Sequence, residues 1–249
     1  MRAAAGVALF LLALGLTAGA PARGGFDGGT VVGAGEEPAG CTSRVGTIAK
    51  EAPKGSPARR DKDVALTFDD GPSLTQTPAI LETLVRFGAR ATFFEEGRHV
   101  AGREALMRQI LAAGSEIGNH SYDHPVDPGE WELASTQEAI RGATGFMPCL
   151  FRPPYGEVDK KVERAARANG LELVLWTLDS EDDAHPGVGA IRVRVVRQTR
   201  PGSIVLLHDG GHHPETVKAL PGIIEGLAAR GFRFVTVTEL LGGVTRYRR

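Results

Sequence analysis

Between Asp61 and about Gly242 the chain alternates seven short β-rich runs with helical segments, and that alternation leaves few folds open to it. The runs are 64–68, 90–94, 116–118, 150–152, 171–176, 203–207 and 233–235. Apolar residues recur at helical spacing in the gaps, over 78–87, 104–113, 130–143, 160–169, 191–199 and 214–229, and several of these stretches end at a glycine suited to a helix C-cap. Strands that alternate with helices imply parallel βαβ units and an α/β fold.

Five of the apolar runs end in residues that carry chemistry. The first closes on Thr67-Phe68-Asp69-Asp70-Gly71-Pro72. Adjacent carboxylates repel, so such a pair either shares a cation or a proton, or is a solvated turn. The next is followed by His120-Ser121-Tyr122-Asp123-His124, two imidazoles four residues apart, either surface residues or two ligands of an open metal site. Two His and a carboxylate suit catalytic zinc, with Asp70 available as the carboxylate, and they also suit non-haem iron. Phe151-Arg152-Pro153-Pro154-Tyr155-Gly156, Trp176-Thr177-Leu178-Asp179-Ser180 and Ile204-Val205-Leu206-Leu207-His208-Asp209-Gly210 complete the set. Parallel α/β folds build sites at the carboxyl ends of their strands, so the five ends read as one converging site. His99, His185, His212 and His213 match no motif and are expected on the surface or in loops, with His212-His213, close to the His208 strand end, placed to rim the cleft.

In this order, TFDDGP, HSxxH, RPPYG, WxxDS and LLHD, the motifs resemble those of the polysaccharide deacetylases, the NodB-like fold of carbohydrate esterase family four. The resemblance implies a distorted, incomplete (β/α)7 barrel over nearly all of 61–242. It implies Asp69 as catalytic base, and Asp70, His120 and His124 as ligands of one divalent ion, zinc first, with cobalt or nickel as alternatives. By the same resemblance Arg152 holds the base, the Tyr155 N–H faces the oxyanion, His208 is the general acid, and Asp179 pairs with His208. Leu206 lines the acetyl-methyl pocket, and Pro154 and Trp176 join the substrate-binding wall. One position departs: the run Asp179-Ser180-Glu181-Asp182-Asp183 places Asp183 where many members carry a tryptophan that walls the site.

The chemistry asks for these residue types. Amide hydrolysis needs a nucleophile stronger than neutral water, and a divalent ion lowers a water's pKa toward about 7. A carboxylate base takes the proton, a fixed N–H helps to stabilise the oxyanion, and an imidazolium protonates the poor amine leaving group.

The rest of the chain sets the context. Arg2, the apolar stretch 7–16 and the small residues around Ala20-Pro21-Ala22 read as a signal peptide (1–22) cut after Ala22, with an uncleaved anchor as the alternative. Ten apolar residues are too few to span a bilayer comfortably, so no stable membrane insertion is expected after cleavage, and the protein is expected to be secreted or wall-associated. Residues 23–60 read as a flexible Gly/Pro/Ala-rich linker and 243–249 as a C-terminal tail. The formal charge of -1 gives no basic face for nucleic acid. Cys41 and Cys149 either form an intrachain disulfide or remain two thiols.

The expected function is removal of acetyl groups from an amino-sugar polymer, peptidoglycan or chitin-like, by metal-bound water. An acetylxylan esterase using the same site, a glycan-binding protein without turnover and a hydrolase of small cyclic amides are the alternatives; the signal peptide weighs against the last.

Overall fold

The computed structural model describes residues 39–45 and 47–247. The signal peptide and the first part of the expected linker lie outside the described residues. The strands are β1 (Gly40–Cys41), β2 (Ile48–Ala49), β3 (Asp63–Gly71), β4 (Ala91–Glu95), β5 (Glu116–Asn119), β6 (Leu150–Phe151), β7 (Glu172–Val174), β8 (Leu178–Asp179), β9 (Ile204–His208), β10 (Arg233–Phe234) and β11 (Thr245–Arg246). The helices are α1 (Pro57–Arg60), α2 (Gln76–Phe87), α3 (Gly97–Val100), α4 (Glu104–Ala112), α5 (Glu130–Thr144), α6 (Lys160–Ala168), α7 (Val188–Gln198), α8 (Pro214–Ala229) and α9 (Val237–Leu240). All seven expected strands and six expected helices are present, with boundaries moved by a few residues.

One parallel sheet runs in the order β2-β7-β6-β5-β4-β3-β9-β8, with β10 pairing the start of β3. The order is open, with β2 and β8 at its ends, so the sheet curls into the incomplete barrel that the resemblance implies.

The two-residue period of the strands separates core from site. On β3, Val64, Leu66 and Phe68 enter the layer beneath the helices, together with Ile80 and Leu84 of α2 and Leu220, Ile223 and Leu227 of α8. Ala65 packs into a different, inner cluster with Phe94, Leu150, Val174 and Ile204. By alternation Thr67 and Asp69 share that inner face, as do Leu206 and His208 beyond Ile204. Each buried Leu, Ile or Phe contributes about 1.5–3 kcal/mol of apolar burial, so the outer layer holds the strand register that aims the inner residues.

The expected linker is overturned from residue 39 onward, and the expected tail at 245–246. Strand β2 joins the main sheet beside β7, β1 pairs antiparallel with β11, and Ala39, Ala49, Ala52 and Ala58 are buried. A disulfide joins Cys41 to Cys149 across a separation of 108 residues. The segment shows no periodicity in sequence because it contacts the domain through two-residue strands and single alanines, too short for a pattern to register. No helix among the described residues is long and apolar enough to cross a membrane.

Candidate active site

Register brings the strand ends together. Asp69 at the end of β3 lies beside Phe94 on β4 and beside His208 on β9, and Asn119 of β5 lies beside Phe151 on β6. A strand would send Asp69 and Asp70 to opposite faces. Asp70 instead has φ 73°, in the left-handed region, where the β3–β4 register shifts between Asp69 and Gly71, and so both carboxylates serve one site. Ser121, His124 and Tyr155 also have positive φ, at 65°, 60° and 59°. Conformations of this kind cost about 1–3 kcal/mol each and gather where geometry matters more than stability.

Asp70 Oδ1 lies 3.3 Å from His120 Nε2 and 3.4 Å from His124 Nε2. His120 Nδ1 is 2.7 Å from the Arg152 carbonyl oxygen, which accepts its proton; in the neutral ring Nε2 then keeps the lone pair that a cation needs, and in the protonated ring it donates to Asp70 instead. One atom from each of the three side chains falls within 4.8 Å of the others, a set that fits a single divalent ion. Electrostatics agree. Burial opposes protonation of His120, yet Asp69 and Asp70 raise its pKa, as expected where two carboxylates seek a positive charge. Burial would raise Asp70 as well, but the hydrogen bond from His120 and the surrounding imidazoles hold it well below the usual carboxylate range. His124 is lowered by burial and by the charge of His120.

Arg152 is fully buried, and its Nη1 donates to Asp69 Oδ1 at 2.8 Å and to Thr67 Oγ1 at 2.7 Å. Its Nε donates to the Val174 carbonyl at 3.3 Å, and its plane lies over the Phe94 ring at 4.2 Å and near Trp176 at 5.6 Å. Burial alone would lower the guanidinium's pKa, and Asp69 opposes that. A buried charge survives only when paired and hydrogen bonded, so Arg152 and Asp69 hold each other in place. Gly156 lets Trp176 approach: a Cβ there would stand 2.7 Å from the indole ring, and its φ of +69° favours glycine as well.

His208 corrects one expectation. Its Nδ1 lies 2.7 Å from Asp182 Oδ1, not against Asp179. Asp182 is fully buried, and it also accepts from the His208 N–H at 2.9 Å, Thr216 Oγ1 at 2.6 Å and Ser180 Oγ at 3.0 Å. Asp179 Oδ1 accepts from the Glu181 N–H instead, and its carboxyl is raised, chiefly by burial. Burial would lower His208, but Asp182, followed by Asp69 and Asp70, outweighs it and the imidazole is pushed up to about 9. Three aspartates stood within five residues; the 3-10 turn Asp182–Ala184, which no spacing announced, points the second one inward.

A cleft of about 360 Å³ gathers Asp69, Asp70, His120, His124, Tyr155, Trp176, Asp179, Asp183, Leu206 and His208. Pro153, rather than the expected Pro154, lines it, because Pro154 is turned into the buried start of the 3-10 turn Pro154–Gly156. Asp183 lines the cleft as an exposed acid where an aromatic wall was the family expectation. A larger groove, about 700 Å³, runs beside α3, α4 and α5, but its only ionisable carboxylates are Glu104 and Glu138 and it holds no imidazole. His185 and His213 lie in loops, as expected, and His213 stands at the His208 strand end: it stacks on His208, and His185 stacks on His213.

Residues 56–174 match the polysaccharide deacetylase family. The peptidoglycan-N-acetylglucosamine deacetylase of Bacillus cereus is 41% identical over 73% of this chain and 89% of its own length. The chain belongs to the polysaccharide deacetylase family. The peptidoglycan-N-acetylglucosamine deacetylase PgdA of Listeria monocytogenes is 38% identical over 77% of the chain, which spans 41% of that longer relative. Among solved structures, the family 4 carbohydrate esterase from Streptomyces lividans in complex with acetate superposes with a TM-score of 0.68 at 36% identity, covering 76% of this chain and 99% of that one.

Proposed function

We propose that the protein is a secreted, divalent-metal-dependent deacetylase that hydrolyses N-acetyl groups of an amino-sugar polymer of the peptidoglycan or chitin type. The observation that carries the reading is the meeting, in one cleft, of three side chains that fit a cation, a carboxylate gripped by a buried guanidinium, and an imidazole raised to about 9 by a buried carboxylate. An amide needs such an acid more than an ester does, because an amine leaves poorly unless protonated. The similarity to deacetylases of peptidoglycan N-acetylglucosamine favours that sugar.

Asp70, His120 and His124 would hold the ion, which when bound supplies a water of lowered pKa and a positive charge near the acetyl carbonyl. Asp69 would take up a proton at Oδ2; Arg152 fixes that carboxylate through Oδ1, and Oδ2 faces His120 Nε2 at 3.8 Å. The Tyr155 N–H donates to the carbonyl oxygen as negative charge builds there, a contribution of about 3 kcal/mol for one such donor. Leu206, almost wholly buried at the cleft floor, receives the methyl group. His208 delivers a proton from Nε2 to the departing amine, while Asp182 keeps Nδ1 engaged.

The test is acetate release from N-acetylglucosamine oligomers, peptidoglycan and acetylated xylan by chelator-treated protein, with zinc, cobalt or nickel restored, beside Asp70→Ala. Metal-restored release from the N-acetyl substrates that the variant lacks is expected. Release from xylan alone would make it an ester hydrolase, and glycan binding without release would make it a binding protein.

A further inference from the structure

His208 ends β9, and among the described residues its side chain makes one hydrogen bond, from Nδ1 to Asp182. That bond fixes one edge of the ring. It does not fix the plane, because the second side-chain torsion of histidine has a broad preference and hydrogen bonds bend readily. An acid that must aim Nε2 at a leaving nitrogen needs the plane held too.

A column of imidazoles stands against that ring. The His213 centroid lies 5.2 Å from that of His208 with 29° between planes, and His185 lies 5.2 Å from His213 at 16°. His213 is pinned from its backbone: its N–H donates to Oε1 of Gln76 on α2 at 2.7 Å, and Gln76 Nε2 donates to the Gly211 carbonyl at 2.7 Å. Gln76 is itself buried, so α2 reaches across to fasten the loop between β9 and α8. Burial keeps His213 below the ordinary imidazole range, and the neighbouring His208 charge acts in the same direction against the pull of Asp182. A neutral aromatic face beside an imidazolium is a favourable contact, comparable to a cation over a ring. Asp183, which also lines the cleft, has no such face to offer.

We propose that His213, backed by His185, is the positioning residue that fixes the plane of the His208 imidazole through ring stacking and so aims its Nε2 into the cleft. The proposal rests on His208 as the leaving-group acid, and its test carries one readout that needs no turnover. In zinc-loaded full-length protein, the downfield proton resonance of His208 Nδ1–H is compared among the wild type, His213→Ala, His213→Phe and His185→Ala, with melting curves to confirm folding. The resonance is expected in the wild type and His213→Phe, and broadened by solvent exchange in His213→Ala, with His185→Ala between them.

In the second readout, His213→Ala lowers kcat on N-acetylglucosamine oligomers about tenfold with KM within about twofold, a part of the 10²–10⁴ that a general acid supplies. It affects an O-acetyl ester less, and His213→Phe restores most of the loss. An unchanged Nδ1–H signal in folded His213→Ala, or a phenylalanine variant as impaired as the alanine one, overturns the proposal. An inactive wild type that nevertheless shows the expected pattern of resonances would count against the deacetylase reading and leave the stacking role supported.

Discussion

Replacing Asp182 by asparagine keeps the volume and one carbonyl oxygen but removes the charge that faces His208 Nδ1 at 2.7 Å. The imidazole, raised to about 9 in the intact protein, then falls toward its ordinary 6.5. At pH 8 an imidazole with a pKa of 9 is about 90% protonated and one of 6.5 about 3%, a ratio of about 30, or about 2 kcal/mol of barrier. A raised pKa means that the acid form is present below it and lost as pH rises through it. The alkaline limb of kcat on an N-acetyl oligomer should therefore lie about two units lower in Asp182→Asn than in the wild type. A bound cation at Asp70, His120 and His124 lowers the limb in both proteins, so the difference between them is the quantity to read. Initial rates of acetate release from pH 6 to 10, on the wild type, Asp182→Asn and Asp179→Asn, make the measurement. If Asp182→Asn keeps the wild-type limb while Asp179→Asn moves it, the pairing seen in the structure is not the one that tunes the acid.

Further outcomes follow from the same contacts. Arg152→Ala strands the buried Asp69 carboxylate, and urea unfolding should show a loss of about 3–5 kcal/mol along with abolished turnover; a loss under about 1 kcal/mol would mean that Asp69 finds water or another donor. Cys41→Ser opens a closure of 108 residues and should cost about 2–4 kcal/mol, read as a lower melting temperature that reductant reproduces in the wild type but not in the variant. Zinc at about 100 times its Kd should stabilise the wild type by about 2.7 kcal/mol in a melting experiment and leave His120→Ala unmoved; equal shifts in both would place the ion elsewhere. Gly156→Ala forces both an unfavourable φ and contact with the Trp176 ring, and should lower turnover on N-acetyl oligomers with little change in KM, since the ring behind Arg152 must shift.

The sequence by itself determined the α/β class, the seven main strands and the five strand ends that carry the site. Each of these is written in local terms: a run of β-formers, a helical repeat, a polar residue just past an apolar strand. Asp69, Asp70, His120, His124, Arg152 and His208 were legible because a parallel sheet presents the ends of its strands on one edge, whatever the lengths between them. The tertiary structure decided what depends on torsions and on distant partners. The left-handed turn at Asp70 puts adjacent carboxylates on one site, which alternation along a strand would forbid. The 3-10 turn after Asp179 chooses Asp182 as the partner of His208. Residues 39–45 and 47–60 became part of the domain through two-residue pairings and a disulfide, contacts that leave no periodic trace. His213 is held beside His208 by Gln76, 137 residues earlier in the chain, and His185, from the separate turn before α7, stacks on it. Periodicity records what a residue does within its own element; which neighbour it meets across the fold is settled only when the elements pack.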